Sequence, residues 1–398
     1  MVPWMAPKKS KKEILCLGIS VFLFLGPSMG VKAATLLTDW YLGARATGMG
    51  NAVTAVPEGI EGVYYNPALL AASDSVKFSL INPSVYINHG ALKYALGDIT
   101  FKKNTASTAD LQADLSKLYD YPLRGGMNVL PSIQFGPLMI GAIAMNRTEA
   151  FVVNQAFPRI TAESYFDYGV SIGYGHEWKN TYKHKYRFGL LGKNFWRRGV
   201  SFRDISLGEF LDIATGATVD SNFFKQYEHT EHAFSMDAGF TYEYQITKRR
   251  RTQHGPWPTG GSSLNFGATW QNIGDTSFGS PKVPGNFPTI EEQVNVGAAF
   301  RFGSPLFDFT ASAEMRHITQ DFPYLRQKLH GGIEMAIPFN RFRAGVMNGK
   351  LSLGYTFDFL FLKATASTWV QDFAPQPGLL EDRFYMVEVN LLNLDLAL

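Results

Sequence analysis

Beyond about residue 75, apolar and polar residues alternate with period two in one segment after another. Between Phe234 and Ile246, an apolar set (Phe234, Met236, Ala238, Phe240, Tyr242, Tyr244, Ile246) interleaves with Ser235, Asp237, Gly239, Thr241, Glu243 and Gln245. Phe307, Phe309, Ala311, Ala313 and Met315 alternate with Asp308, Thr310, Ser312, Glu314 and Arg316. Leu264, Phe266, Ala268 and Trp270 alternate with Asn265, Gly267, Thr269 and Gln271. Successive side chains of a strand face opposite sides, so each segment has one greasy and one wet face. A soluble β-sandwich shows the same alternation, but three features favour a membrane barrel. The segments run about 10 to 16 residues, longer than the usual strand and enough for the 9 to 11 that cross a bilayer at a tilt. The wet face mixes small and charged residues, as a lumen does. Aromatic residues recur near strand ends, where membrane boundaries would lie. Lipid offers no partner to open backbone edges, so such a sheet must close on itself.

The pattern predicts wall strands near 76–87, 127–136, 138–151, 161–177, 184–203, 232–247, 262–274, 291–303, 306–318, 325–338, 341–348, 350–357, 360–373 and 383–395. The expected fold is therefore all-β, a 14-stranded antiparallel transmembrane β-barrel. Gly136-Pro137, Gly303-Ser304-Pro305 and Pro338-Phe339-Asn340 then make tight turns at one end, and 88–126, 204–231, 275–290 and 374–382 make long connections at the other. The basic stretch from Lys248 to Arg251 falls in an unusually long connection, 248–261, at the tight-turn end. In the first long connection, Leu92 to Phe101 reads as a strand extension. Leu111, Leu115 and Leu118 follow at helical spacing behind Ser107 and Thr108, residues that can cap a helix. Leu207, Phe210 and Leu211 suggest a helical turn in the second. Such apolar loop helices could hold a hydrophobic ligand at the mouth or simply pack on each other.

Composition narrows the function. Of 398 residues, 18% are charged and 14% aromatic, with a formal charge of +3. A disordered chain would be poorer in aromatics, and a nucleic-acid binder would carry a clustered basic excess. Lys8, Lys9, Lys11 and Lys12, an apolar stretch from Ile14 to Leu25, and Val31-Lys32-Ala33 form a signal peptide over residues 1–33. Its removal takes away five lysines and Glu13, which brings the chain close to neutrality, and takes away Cys16, the single cysteine. His229 and His232 have a spacing that metals accept on a helix, but in an outer loop they read as two exposed histidines. No nucleophile elbow, phosphate loop or zincin helix is present, so neither an enzyme nor a metal or cofactor site is expected.

Residues 42–72 break the alternation. Gly43, Gly48 and Gly50 permit close backbone approach. Asn66-Pro67 is a helix start, with asparagine as cap and proline in the first turn. The lumen of a 14-stranded barrel is too wide for its own side chains to fill, and a small glycine-rich segment suits that space. Arg45 would pair there with a lumen acid such as Asp237, Glu243 or Glu314, or meet a ligand carboxylate.

As an ordered set, Gly43-Ala44-Arg45, Gly48-Met49-Gly50 and Asn66-Pro67-Ala68 resemble the opening of the FadL-like outer-membrane barrels, most closely the PorV/PorQ branch. Glu58 and Glu61 stand apart where that family carries an acidic pair. The resemblance implies a hatch over residues 34–74 inside a barrel of residues 75–398, in the outer membrane of a Gram-negative-type bacterium. It implies one of two roles. The first is passive passage of hydrophobic small molecules such as long-chain fatty acids, for which the residues themselves offer Arg45, Leu111, Leu115 and Leu118 as candidate ligand contacts. The second is a PorV-type part in type IX secretion, with cargo or machine proteins as partners. The alternation itself places Asp237, Thr241, Glu243, Glu314 and Arg316 on the lumen face.

Overall fold

A computed structural model describes residues 39–56, 58–72, 75–99, 117–153, 159–179, 183–206, 228–247, 261–280, 283–284, 287–304, 306–322, 324–359, 362–373 and 381–397. The predicted signal peptide, Leu111, Leu115, the turn at 207–211 and the basic connection 248–260 lie outside them.

Fourteen antiparallel strands form the wall. They are β1 (Ser75–Ile81, resuming as Ser84–Asn88), β2 (Leu123–Val129, resuming as Ser132–Phe135), β3 (Leu138–Val153), β4 (Arg159–Lys179) and β5 (His184–Ser206). After these come β6 (His229–Thr247), β7 (Gly261–Gln271), β8 (Gln293–Gly303), β9 (Asp308–Met315) and β10 (Leu329–Ile337). The last four are β11 (Asn340–Met347), β12 (Lys350–Phe359), β13 (Leu362–Asp372) and β14 (Glu381–Ala397). Each strand pairs with its chain neighbours, and β14 returns to β1 through Ser75↔Ala397, so the sheet closes. The expected barrel and its strand number are therefore what the chain forms. The breaks in β1 and β2 lie side by side at Pro83 and Pro131, residues with no N–H for the ladder. Asn82 bridges them: its Nδ2 donates to the Leu130 carbonyl (2.8 Å) and its Oδ1 accepts from the Leu130 N–H (2.9 Å).

The wall is inside-out compared with a soluble protein. Ile172, Leu190 and Phe234 point outward and are 55%, 53% and 62% exposed, while Asp167, Lys193 and Asp237 on the alternate phase are buried. A continuous apolar exterior of this kind calls for lipid. Two aromatic belts bound it. Phe166, Tyr168, Trp196 and His232 make one run of ring contacts toward the long connections, and His184, Tyr186, Tyr242 and Tyr244 make another toward the short turns. Along β4 the belts are about ten residues apart, which at about 3.3 Å per residue and about 40° of tilt spans about 25 Å, the height of a barrel's apolar band.

Two local expectations change. The segment after Asn88 is a helix, α2 (His89–Leu96), and not a strand extension. The Asn88 side chain caps it by accepting from the Ala91 N–H at 3.0 Å, and Gly97 ends it at φ 83°, so local capping outweighs the apolar alternation. His229 and His232 lie on strand β6, not in a loop, and an odd separation sends them to opposite faces.

Candidate functional site

Residues 39–72 pack against the lumen face of the wall. The segment contains a short helix, α1 (Ala44–Gly48), and two 3₁₀ turns, Ile60–Tyr64 and Pro67–Ala72. The second begins as its sequence suggests, with the Ala68 N–H donating to Asn66 Oδ1 at 3.1 Å. Wall glycines make room for this segment. A Cβ at Gly239 would meet Asn66 Oδ1 at 2.1 Å, one at Gly189 the Pro67 carbonyl oxygen at 2.1 Å, and one at Gly267 the Thr54 carbonyl oxygen at 2.3 Å. Gly50, at φ 65°, lies against the backbone of Gly331 and Val346 with no space for a side chain.

Two ion-pair clusters tie the segment to β9, β10 and β11. In the first, Arg45 donates from Nε and Nη2 to Glu334 (3.2 and 3.1 Å), lies 3.2 Å from Glu58, and donates from Nη1 to the Val56 carbonyl. Arg343 and Arg341 complete it by pairing with Glu334 and Glu58. The acids foreseen as partners of Arg45 are engaged elsewhere: Asp237 with Lys193 (2.9 Å), Glu243 with Arg187 (2.8 Å) and Glu314 with Arg316 (2.9 Å). The reason is placement, since α1 lies against β12 and β13 and reaches β11. Removing one partner from a buried pair leaves the other charge uncompensated. Arg45→Met is therefore expected to lower stability by about 3 kcal/mol, read from urea titration of the folded barrel in lipid vesicles.

The second cluster sits at the outer end. Arg316 donates to Asp39 (2.7 Å) and Glu314 (2.9 Å), and Glu314 accepts from the N–H and hydroxyl of Thr54. His317 lies 3.7 Å from Asp39, and His330 Nδ1 is 2.7 Å from the Gly50 carbonyl oxygen. Burial opposes ionisation of Asp39, but Arg316 and His317 outweigh it and hold its carboxyl down at about 2. Burial drives the His317 imidazole down to about 3 against the pull of Asp39. Both shifts have the same consequence. Below about pH 6.5 the unfolded chain takes up a proton at His317 that the folded one refuses until about 3. The Asp39 contribution, present above the ordinary aspartate value of 3.8, is lost as pH falls through about 2. Thermal stability should thus decline between about pH 6.5 and 3, and His317→Gln should flatten that decline in a melting series.

The remaining part of the site is aromatic. Tyr165, Phe287, Phe278 and Phe195 form a run of ring contacts with centroids 5.9–6.2 Å apart. It continues through Trp40, Tyr64, Tyr41 and Tyr65 with centroids 5.5–5.9 Å apart. Phe278 and Phe287 come from the long connection between β7 and β8, which folds inward as a small hairpin (Gly279–Ser280 with Val283–Pro284). Arg197 lies between the rings of Tyr165 (4.0 Å) and Phe278 (4.3 Å) while both its forks bind Asp167 at 2.7 Å. This path escaped the sequence reading. Its signals are the pairs Trp40-Tyr41 and Tyr64-Tyr65 in an otherwise small-residue segment, and Tyr165 and Phe195 on the phase that carries Asp167, Lys193 and Arg197. Of the other foreseen contacts, Leu118 is half-buried on the helical residues 117–120. On the lumen phase, Asp237, Thr241, Glu314 and Arg316 are buried, and Glu243 is half-buried against Arg187.

No protein-family model and no curated protein matches the sequence. Among solved structures, the chain is similar to the Pseudomonas putida toluene transporter TodX, with 13% identity over 87% of this chain and 96% of that one and a TM-score of 0.44. It is also similar to the monoaromatic hydrocarbon channel CymD (11% identity, 91% and 99% coverage, TM-score 0.41) and to a Pseudomonas aeruginosa FadL homologue (12%, 87% and 97%, TM-score 0.33).

Proposed function

We propose that the chain is an outer-membrane barrel for passive passage of hydrophobic small molecules, with residues 39–72 as the gate. The observation that carries this reading is the aromatic path. Eight rings lead without a break from an outer connection to residues 40–65 of this segment. The eight rings are buried against one another, so an apolar solute would pass by parting apolar neighbours, and each methylene it removes from water contributes about 0.8 kcal/mol. Long-chain fatty acids are one such class, and the motifs at Gly43–Arg45, Gly48–Gly50 and Asn66–Ala68 support it through their resemblance to the FadL-like barrels. The exterior apolar band supports a membrane location, with outer-membrane lipid as its surroundings.

Purification in mild detergent followed by mass spectrometry of everything retained tests the reading, together with uptake of a labelled long-chain fatty acid by cells making wild type or Phe278→Asp. Retained apolar ligand and uptake that falls in the variant are expected. No uptake in either, with a secreted or machine protein retained in place of ligand, would move the barrel to the type IX secretion role.

A further inference from the structure

We propose that the outer connection between β9 and β10 is a membrane anchor, with Leu325 among the acyl chains of the outer leaflet and Arg326 on a lipid headgroup phosphate. The inference uses the membrane location of the reading above and is independent of what crosses the lumen. The apolar exterior is shorter on this side of the wall. β4 and β5 run on past the outer aromatic belt, from Phe166 to Arg159 and from Trp196 to Ser206. β11 and β12 end instead in the turn Asn348-Gly349, just beyond Val346 and Leu351, which pair and are both exposed. At the short-turn end, Phe359 of β12 meets the ring of Phe339. From Leu351 to Phe359 the outward face covers about 20 Å, at about 3.3 Å per residue and about 40° of tilt. Leu329 to Ile337 on β10 has the same length. A barrel's apolar band is about 25 Å tall, so these strands fall short by about 5 Å, the rise of one helical turn.

That turn is present. A short helix, α3 (Leu325–Lys328), leads directly into β10, and the Leu329 N–H donates to the Leu325 carbonyl. Leu325 therefore stands one turn above Leu329 on the same face. Leu329 is 48% exposed on the lipid side of β10, and Leu325 is 61% exposed. Gln327 takes the opposite side of the turn, where it is buried and its Oε1 accepts from the Tyr324 N–H at 3.3 Å. One exposed leucine needs no partner, but this one continues a face already given to lipid. The flanking residues suit the headgroup level. Tyr324 is exposed beside Leu325, and tyrosine is enriched at membrane–water boundaries. Arg326 is exposed and reaches over the low rim, its Cδ 3.8 Å from where a Cβ on Gly349 would stand. Residues 318–328 set two cations, Arg326 and Lys328, against one acid, Asp321, and Lys328 donates to the Ile318 carbonyl. The nearby Glu381 is paired with Lys350. A guanidinium on a flexible stem at this height matches an anionic phosphate.

Cys16 is the single cysteine, so Leu325→Cys in a Cys16→Ser chain takes one bimane label. The full chain is inserted into phosphatidylcholine vesicles with or without brominated acyl chains, and Ile333→Cys on the outward face of β10 serves as the lipid reference. Brominated lipid should quench the Leu325 label at least half as strongly as the Ile333 label, and iodide in the water should quench it little. Tyr324→Cys carries the test if Leu325→Cys does not reach the heat-modifiable folded form. Lipid quenching at Ile333 with iodide quenching alone at Leu325 would overturn the anchor and leave the barrel in its membrane. Lipid quenching at neither site would remove the membrane location as well. The headgroup contact is read by native mass spectrometry with bisphosphorylated and monophosphorylated lipid A. Wild type should retain the bisphosphorylated form about fivefold more, the effect of one cation at an anionic lipid surface, and Arg326→Gln should lose that preference. No preference in wild type, or the same preference in Arg326→Gln, would overturn the phosphate contact.

Discussion

Deleting residues 39–65 should convert a plugged barrel into an open pore, seen as a large rise in single-channel conductance in planar bilayers. The wall does not depend on this segment for its ladder, since the backbone pairing that closes the sheet runs between the fourteen strands. The segment is held against the wall by packed backbone at the wall glycines and by the Arg45 and Arg316 clusters. A single substitution makes the same point. Gly267→Val places carbon where the Thr54 carbonyl now lies, 2.3 Å from the new Cβ, so the segment cannot seat on β7. Its conductance should rise toward that of the deletion. Wild-type conductance in both, with the barrel still shifting its gel mobility on heating, would mean that the segment does not close the pore.

Leu190→Arg should block assembly. Leu190 is 53% exposed on the outer face of β5, midway between the two aromatic belts. An arginine at the bilayer midplane of a barrel wall costs about 2–4 kcal/mol, a large fraction of the few kcal/mol that usually hold a domain folded. Leu190→Phe keeps the face apolar and should assemble as the wild type does. The measurement is the folded fraction after insertion into lipid vesicles, from heat-dependent gel mobility. Equal assembly of the two variants would place this face away from lipid.

The number of wall strands and their antiparallel order are legible in the sequence, because lipid outside and a polar lumen inside impose opposite demands on alternate residues. In β6 the set from Phe234 to Ile246 and the set from Ser235 to Gln245 part cleanly, and no distant contact is needed to tell them apart. The helix start at Asn66-Pro67 is equally local, since cap and bonded N–H are two residues apart. Where two local signals compete, as after Asn88, the alternation misleads because a capped helix satisfies the backbone without a strand partner. The partners of Arg45 are a different matter. Glu334 is 289 residues away, and any inward acid was an equal candidate until closure of the barrel set which strands face α1. The wall glycines likewise read only as small polar-face residues, because what they admit, the backbone of Thr54 or Pro67, comes from the far end of the chain. The aromatic path is the clearest product of tertiary structure. Its rings come from the lumen segment, two wall strands and one outer connection, and their sequence order carries no period. Local alternation follows from the solvent on each side of one strand, whereas contacts across the lumen follow from the closure and stagger of the whole wall, which no single strand encodes.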